Sequence, residues 1–427
     1  MQRCACALLW CLVLATAIAA CGRIRYGAEA GGAETGTDAG ATRDAAADRD
    51  ASAVDAGHDA GGPGDAGAAD GGPPPAPGEV VKLTTTAPLF TSPLPTSGHC
   101  GEFAMFFVTD QPIDDNGVVP SVFLDPDGHT LWLSLPCRHG DTGWNLTLGR
   151  WDTAGGDFEQ LDPDSATPAR EAFVRIDDTY SDGSQVTSTR GHAFALAGDG
   201  SLVGAGGVFD GTVHHVVPIF ASSPATLSAA SYVVGARGAL DPPASPPWAV
   251  RTAYRRNILR VGSTYYLYSV HWDGSSMTPL GLESTSIAVS TSTDLRSATF
   301  GASPVLADGW TQPYVTESGG TFHMVARRLE TNSWHYVRGT SPTDFDFAGA
   351  TPLGLARHAG APGAWDELRY ASHGLSGDPQ VVGAVAVGDT LFVLYVAGVP
   401  PHGSFASNMR SRGSIGVFAL AVTPWDR

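Results

Sequence analysis

The sequence is poor in charge, poor in basic residues and poor in long apolar runs. Only 16% of its 427 residues are charged, and 25 basic side chains stand against 43 acidic ones. A net charge of −18 excludes a protein that binds nucleic acid through a basic surface. The one apolar run long enough to insert in a bilayer lies at the extreme N-terminus, which excludes a polytopic membrane protein.

Uninterrupted helix-forming stretches are also scarce. The chain has 53 Gly and 30 Pro residues, and they fall inside the periodic segments as well as between them. Both residues disfavour helix interiors, so coiled coils and helical bundles are not expected. The composition is typical of an exported, turn-rich and mostly β protein.

Residues 1–20 are predicted to be a signal peptide, with a positively charged start and an apolar core over residues 7–18. The sequence Ile18-Ala19-Ala20-Cys21 resembles the lipobox of bacterial lipoproteins, in which the cysteine is lipidated. This resemblance implies a lipid anchor on Cys21, and Gly22 after it implies the outer membrane. A plain signal peptide that ends near a cysteine is the alternative.

Residues 21–79 are predicted to be the lipidated cysteine followed by a disordered linker of Ala, Gly, Asp and Pro. Four arginines and eleven acidic residues give the linker a charge of −7. As a flexible chain it would span about 40 Å on average. The remaining residues, 80–427, are predicted to form one folded domain. Its net charge is −12, which is the total of −18 without the −7 of the linker and the +1 of Arg3.

Cysteine is scarce in the predicted domain. Of six cysteines in the chain, only Cys100 and Cys137 lie beyond the linker. Export would place them in an oxidising compartment, so a disulfide between them is predicted. Two free buried thiols are the alternative.

The predicted domain contains five weak internal repeats. In each, a short apolar strand, a Gly- or Asp-containing turn and an aromatic-rich strand follow one another. The repeats begin at Pro120, His192, Asn257, Pro313 and Pro379, with spacings of 72, 65, 56 and 66 residues.

A third strand follows each hairpin, and short fourth strands are expected near Phe158, Leu227, Phe300 and Phe347. The fifth repeat lacks a fourth strand, which the segment 79–90 could supply. Four antiparallel strands in each of five units predict an all-β fold, a five-bladed β-propeller closed by its N-terminal strand. A pair of β-sandwiches is the alternative.

Three segments resemble the five-bladed propeller glycosidases, namely the arabinanase and β-xylosidase group and the invertase and levansucrase group. They are "STSIAVSTSTDL" (284–295), "WTQPYVTESGGTFHMV" (310–325) and "DPQVVGAVAVGDTLFVLYVAG" (378–398). The resemblance covers most of residues 100–427 and supports the fold more strongly than the function. It implies a site where the inner strands begin, and Cys100 and Cys137 map to loops on that face.

Glycoside cleavage needs a carboxylic acid and a carboxylate, about 5–5.5 Å apart for retention and about 6.5–9.5 Å for inversion. The resemblance implies a base at the start of the first inner strand, where Asp114 and Asp115 are the nearest match. Asp378 is a second carboxylate beside an inner strand. Glu283 and Glu367 are the candidates for the acid.

Blades two and three open with basic and amide residues where the glycosidases would offer carboxylates. The candidate substrate-binding residues are these four together with nearby aromatic and amide side chains: Arg190, His192, Arg256, Asn257, Trp272, Trp310, Gln312 and Trp365. Arg256, together with Arg251 and Arg255 just before it, would suit an anionic or densely hydroxylated ligand, or would serve as salt-bridge partners within the blades.

No residue spacing indicates a cofactor or a three-ligand metal site, and a structural cation stays an alternative. The leading hypothesis is a monomeric, surface-anchored propeller that hydrolyses a poly- or oligosaccharide with two carboxylates in its funnel. Its rivals are a non-catalytic carbohydrate-binding propeller and a protein-interaction propeller. The membrane would be contacted through the lipid anchor alone, and nucleic acid is not an expected partner.

Overall fold

The structure of the protein is a computed structural model. It describes residues 78–91, 104–106, 121–139, 143–160, 183, 188–209, 214–222, 232–235, 256–277, 283–295, 304–359, 364–366, 378–399 and 410–422. All of them belong to the larger of two compact units, residues 61–427. The predicted signal peptide, Cys21 and all but the last two residues of the predicted linker lie outside the described ranges.

The described residues form 23 strands and one short 3-10 turn, Leu355–Arg357. The first strands are β1 (Val80–Lys82), β2 (Phe90–Thr91), β3 (Ala104–Phe106), β4 (Ser121–Leu124), β5 (Thr130–His139), β6 (Gly143–Asp152) and β7 (Phe158–Gln160). Next come β8 (Ser188–Leu196), β9 (Leu202–Phe209), β10 (His214–Ala221), β11 (Tyr232–Val234), β12 (Arg256–Val261), β13 (Thr264–Met277), β14 (Glu283–Ser292) and β15 (Val305–Asp308). The last are β16 (Trp310–Ser318), β17 (Thr321–Arg328), β18 (Ser333–Ser341), β19 (Asp344–Phe345), β20 (Thr351–Pro352), β21 (Gln380–Val387), β22 (Thr390–Val399) and β23 (Arg410–Ala421).

These strands make five antiparallel sheets, which are the blades of a five-bladed β-propeller. Blades 1 to 3 are the sheets β4-β5-β6-β7, β8-β9-β10-β11 and β12-β13-β14-β15. Blade 4 is β16-β17-β18-β19, with β20 also paired to β18, and blade 5 is β21-β22-β23-β1. The predicted fold class is confirmed.

Segments from the two ends of the domain meet in blade 5. The first strand supplies the outer strand, with Val80 opposite Leu420 and Lys82 opposite Phe418. Strands β2 and β3 pair with β23 further along its length. The prediction that the segment 79–90 completes the fifth blade is therefore confirmed.

The inner strands close a ring. Each packs against its neighbours in the order β4, β8, β12, β16, β21 and back to β4. Because all five inner strands run in the same direction along the axis of the ring, all five begin at one end. We call that end the mouth, defined by the first residues of the inner strands: Ser121, Ser188, Arg256, Trp310 and Gln380.

Both faces of a blade are buried against neighbouring blades, which explains the nearly continuous apolar runs. In β22, Leu391, Val393 and Tyr395 pack toward blade 4, whereas Phe392 and Leu394 pack toward blade 1. Side chains alternate between the faces of a strand, so a strand buried on both faces needs apolar residues at every position.

At the end opposite the mouth, each inner strand turns into the second strand of its blade. Every one of these five turns contains a glycine with a positive φ: Gly128, Gly200, Gly262, Gly320 and Gly388. Glycine adopts this backbone conformation without steric cost, so the repeated turns follow from the sequence. We call this end the hairpin end.

The described ranges contain no helix with the length and apolar character needed to cross a membrane.

Candidate functional site at the mouth of the propeller

The structure brings most of the predicted binding positions to the mouth. Arg190 and His192 lie near the start of β8, Arg256 and Asn257 start β12, and Gln312 lies near the start of β16. Trp310 starts β16, Glu283 starts the third strand of blade 3, and Asp378 lies two residues before the start of β21. Trp272 and Cys137 lie near the ends of second strands, opposite Thr285 and Asn145.

Other predicted site residues are described only in part or not at all. Asp114, Asp115, Glu367 and Cys100 lie outside the described residues. For Glu283, Arg190, His192, Arg256, Trp272 and Cys137 the structure gives the strand position and not the side-chain surroundings.

Three inner strands are irregular near the mouth. The pairing register shifts between Arg190 and His192 in β8, between Thr311 and Tyr314 in β16, and between Val381 and Gly383 in β21. Such β-bulges re-aim side chains and are frequent beside functional sites. The irregularity is therefore concentrated at the end of the ring where the candidate residues gather.

Gln312 carries backbone strain within one of these bulges. Its φ is 57°, and its side chain is only 3% exposed. A residue other than glycine in this left-handed region costs on the order of 1–3 kcal/mol and persists only where its surroundings enforce it. Outliers of this kind cluster at ligand-binding and catalytic sites.

Gln312 is bonded to a second buried glutamine, Gln380. The Gln380 Nε2 donates to Gln312 Oε1 at 2.8 Å and to the Val381 carbonyl oxygen at 2.8 Å. The sequence analysis did not single out Gln380. Its signal is a proline beside a glutamine at the start of two inner strands, Gln312-Pro313 in blade 4 and Pro379-Gln380 in blade 5.

Blades 4 and 5 are joined along the full length of their inner strands. The Tyr314 hydroxyl donates to the Val381 carbonyl at 3.0 Å, and the Ala386 N–H donates to Thr316 Oγ1 at 3.2 Å. At the hairpin end, Ser318 Oγ donates to the Gly388 carbonyl at 2.8 Å. The two glutamines thus lie on a rigid platform.

Asn257 contributes a third buried amide, from blade 3. Its Oδ1 accepts a hydrogen bond from the Val315 N–H at 3.0 Å, which joins β12 to β16. Three successive inner strands therefore carry carboxamides near the mouth, where a two-carboxylate mechanism would use acids.

The Asp378 carboxylate accepts hydrogen bonds from two backbone N–H groups. Its Oδ2 accepts from the Trp334 N–H at 3.1 Å and its Oδ1 from the Ala356 N–H at 2.8 Å. These bonds fix the chain that leads into β21 over the start of the third strand of blade 4.

Trp310 is packed between blades 3 and 4. It is buried, with its ring edge-on to His335 at a centroid distance of 5.3 Å and tilted against Phe347 at 5.2 Å. Burial also lowers the pKa of His335. In this position the Trp310 ring serves as core rather than as an exposed stacking platform.

Trp365 packs against blade 5, in a group that we call the closing-edge cluster: Lys82, Thr84, Trp365, Asp366 and Tyr395. The Trp365 Nε1 donates to the Thr84 carbonyl at 2.7 Å, and the indole ring stacks on Tyr395. Lys82 Nζ lies 2.7 Å from Asp366 Oδ2 and 5.3 Å from the Trp365 ring centroid.

Asp366 is the acidic centre of this cluster and is fully buried. Its Oδ2 also accepts a hydrogen bond from the Tyr395 hydroxyl at 2.7 Å. Burial, together with the neighbouring Asp366, raises the pKa of Tyr395. The sequence analysis did not predict the Lys82–Asp366 ion pair, because the two residues are almost 300 positions apart in the chain.

Among the described residues, no group of three or more His, Cys, Asp or Glu side chains is arranged to hold a metal ion.

Comparison with known proteins gives structural similarity alone. No family model and no curated protein match the chain. A family 117 glycoside hydrolase of the marine bacterium Zobellia galactanivorans is 11% identical, with a TM-score of 0.47 over 77% of this chain and 94% of that one. A thermostable family 43 glycoside hydrolase is 13% identical, with a TM-score of 0.44 over 78% and 96% of the two chains. The catalytic domain of a Coprinopsis cinerea GH62 α-L-arabinofuranosidase is 12% identical, with a TM-score of 0.46 over 80% and 98%.

Proposed function

We propose that the protein binds a carbohydrate at the mouth of its propeller. The observation that carries this proposal is the buried Gln312–Gln380 pair, held in a strained bulge at the start of two inner strands. Carboxamides both donate and accept hydrogen bonds, as sugar hydroxyls do. Two of the three segments that resemble propeller glycosidases, 310–325 and 378–398, contain these glutamines.

Glycan binding by the full chain tests this proposal. Affinity electrophoresis and calorimetry would be run against soluble xylan, arabinan, galactan, mannan and glucan, and against polygalacturonate and alginate as acidic polymers. Binding to at least one polymer is expected. Weaker binding after Gln380→Leu, with none lost after Gln160→Leu in the outer strand β7, would locate the ligand at the mouth. Binding to none of these polymers would contradict the proposal and favour a protein partner.

Hydrolysis of the bound carbohydrate is the second candidate. Asp114 and Asp115 precede the inner strand β4, which begins at Ser121. Together with Glu283 or Glu367 they could supply the acid and the base that glycoside cleavage requires.

Release of reducing ends from the polymer that binds tests the second candidate. Replacing Asp114 or Asp115 by Asn, or Glu283 or Glu367 by Gln, should lower the rate by about 10²–10⁴-fold at the catalytic positions. Binding without any release of reducing ends would leave a carbohydrate-binding propeller.

The predicted anchor belongs to the same proposal. A lipid on Cys21 and the linker up to residue 79 would hold the propeller at the outer membrane at a distance of about 40 Å. Incorporation of a labelled fatty acid into the wild type, and its loss in Cys21→Ser, would support this localisation. Labelling that persists in the variant would contradict it.

A further inference from the structure

The orientation of both mouth glutamines is fixed by the backbone around them. The Val381 carbonyl can only accept a hydrogen bond, so the Gln380 atom that bonds to it is the amide nitrogen. The same nitrogen bonds to Gln312, so the Gln312 atom there is the oxygen. Neither amide can rotate by half a turn without placing like groups against each other.

This orientation leaves the amide nitrogen of one glutamine and the amide oxygen of the other. Both N–H groups of Gln380 are in use, so its Oε1 is the group that remains. The Gln312 oxygen already accepts from Gln380, and the two N–H groups of Gln312 Nε2 remain. Neither Gln312 Nε2 nor Gln380 Oε1 has a hydrogen-bond partner in the described part of the chain, although the two side chains are only 3% and 7% exposed.

We propose that the Gln312–Gln380 pair binds a neutral sugar ring, through one hydroxyl that accepts from Gln312 Nε2 and one that donates to Gln380 Oε1. This inference rests on the proposed function and adds the class of sugar. A hydroxyl fills either role, whereas an ionised carboxylate only accepts and would be repelled by the Gln380 oxygen. The pair thus selects a neutral sugar over a uronate.

A purely structural role does not account for the pair. Blades 4 and 5 are already joined by the bonds from Tyr314, Ala386 and Ser318. A single further amide bond contributes little net stability, and the positive φ of Gln312 costs at least as much as that bond contributes. The arrangement therefore adds little net stability, and it presents two polar groups at the mouth.

Gln312→Glu tests the inference with one atom changed. The new carboxylate can still accept from Gln380 Nε2, so the platform keeps its bond. The donor to the ligand, however, is replaced by an acceptor. The polymer that binds best in the neutral set (xylan, arabinan, galactan, mannan and glucan) should bind Gln312→Glu about tenfold more weakly or worse.

Gln160→Glu, the same change in the outer strand β7, is the matched control and should bind as the wild type does. The thermal unfolding midpoint is measured for both variants. If Gln312→Glu lowers the midpoint, Gln312→Gly replaces it, because glycine accepts the positive φ and removes only the amide.

The outcomes separate the inference from the function it rests on. Binding to a neutral polymer that Gln312→Glu weakens at an unchanged midpoint would support the inference. Binding to polygalacturonate or alginate alone would overturn it and leave the proposed carbohydrate binding intact, as would neutral binding that the substitution does not change. Binding to no polymer of either set would overturn both.

Discussion

The two ends of the propeller follow different rules. At the hairpin end, five turns repeat one solution, a positive-φ glycine between two strands in regular register. At the mouth, three inner strands are bulged, and the positive φ falls on Gln312, a residue that avoids this conformation. The backbone preferences of the residues match the fold at the hairpin end and conflict with it at the mouth.

The contrast teaches where to look for function in a repeated fold. Natural sequences are locally consistent with their structure, and the exceptions gather at functional sites. The hairpin end serves folding, and the mouth carries features that folding alone does not require. The following predictions test that division from the largest expected effect to the smallest.

Asp366→Ala tests whether the closing-edge cluster contributes more to the free energy of unfolding than either end of the propeller. The change leaves the Lys82 ammonium buried without its carboxylate and the Tyr395 hydroxyl without its acceptor. Breaking a buried pair in this way costs about 3–5 kcal/mol. Glu159→Ala, which breaks the exposed Arg150–Glu159 pair, should cost about 1 kcal/mol or less in the same urea unfolding experiment. Equal losses would contradict the prediction.

Acid should weaken the half of blade 4 nearer the hairpin end through His323. Burial, with the nearby Arg338, lowers the pKa of His323 from 6.5 to about 4, and its Nδ1 lies 2.8 Å from the Tyr336 hydroxyl. Between these values the unfolded chain binds the proton and the folded chain does not. Stability is therefore full above about pH 6.5 and falls by about 3 kcal/mol as the pH drops to about 4.

The measurement for His323 is the urea midpoint of wild type and His323→Gln at pH 7 and pH 5. The variant starts less stable and should lose less between the two pH values, because the side chain at position 323 no longer takes up a proton. A variant with the same pH dependence as the wild type would show that other groups cause the acid effect.

Gly128→Val should destabilise the hairpin end by about 1–2 kcal/mol. No atom lies within 4 Å of the added Cβ, so the cost comes from the positive φ of 79° and not from crowding. Gly128→Asn should cost less, because Asn tolerates the left-handed region. Thermal unfolding of the two variants measures the difference, and equal midpoints would argue against backbone strain as the cause.

Gln312→Gly should leave stability nearly unchanged, within about 1 kcal/mol. Relief of the strained backbone offsets the lost bond to Gln380 and the extra entropy of glycine in the unfolded chain. The same position should lose glycan binding. A large loss of stability here would place Gln312 with the structural residues and remove the difference between the two ends.

Much of the fold could be read from the sequence because the pattern repeats. The five hairpins, the third strands and the closing segment 79–90 are where the periodicity placed them. The predicted fourth strand near Phe158 is present at Phe158–Gln160, whereas the one expected near Phe300 lies at Val305–Asp308. Outer strands are short and carry few alternating residues, so their positions are weakly specified.

The site was less predictable, because its features arise from contacts between blades. Pro313 favours an extended conformation at Gln312, yet the bulge imposes a positive φ. Trp365 was expected to offer its ring to a sugar, and in the structure the partly buried ring stacks on Tyr395 and lies 5.3 Å from Lys82 Nζ. Asn257 and Gln312 were named from position alone, whereas the Gln380 partner became evident only when two blades were side by side.

The pairing of β1 with β23 also bears on how the protein is made. Val80 and Leu420 are neighbours in one sheet, so the outer strand of blade 5 emerges from the ribosome long before its partner does. Contacts between such distant segments form slowly, because a long loop must close before they stabilise anything. Blades 1 to 4 contain only segments close in the chain, but the ring closes only once β23 is available to pair with β1. Until that moment the early strand is an open edge, and it is then that the chain most needs protection from aggregation.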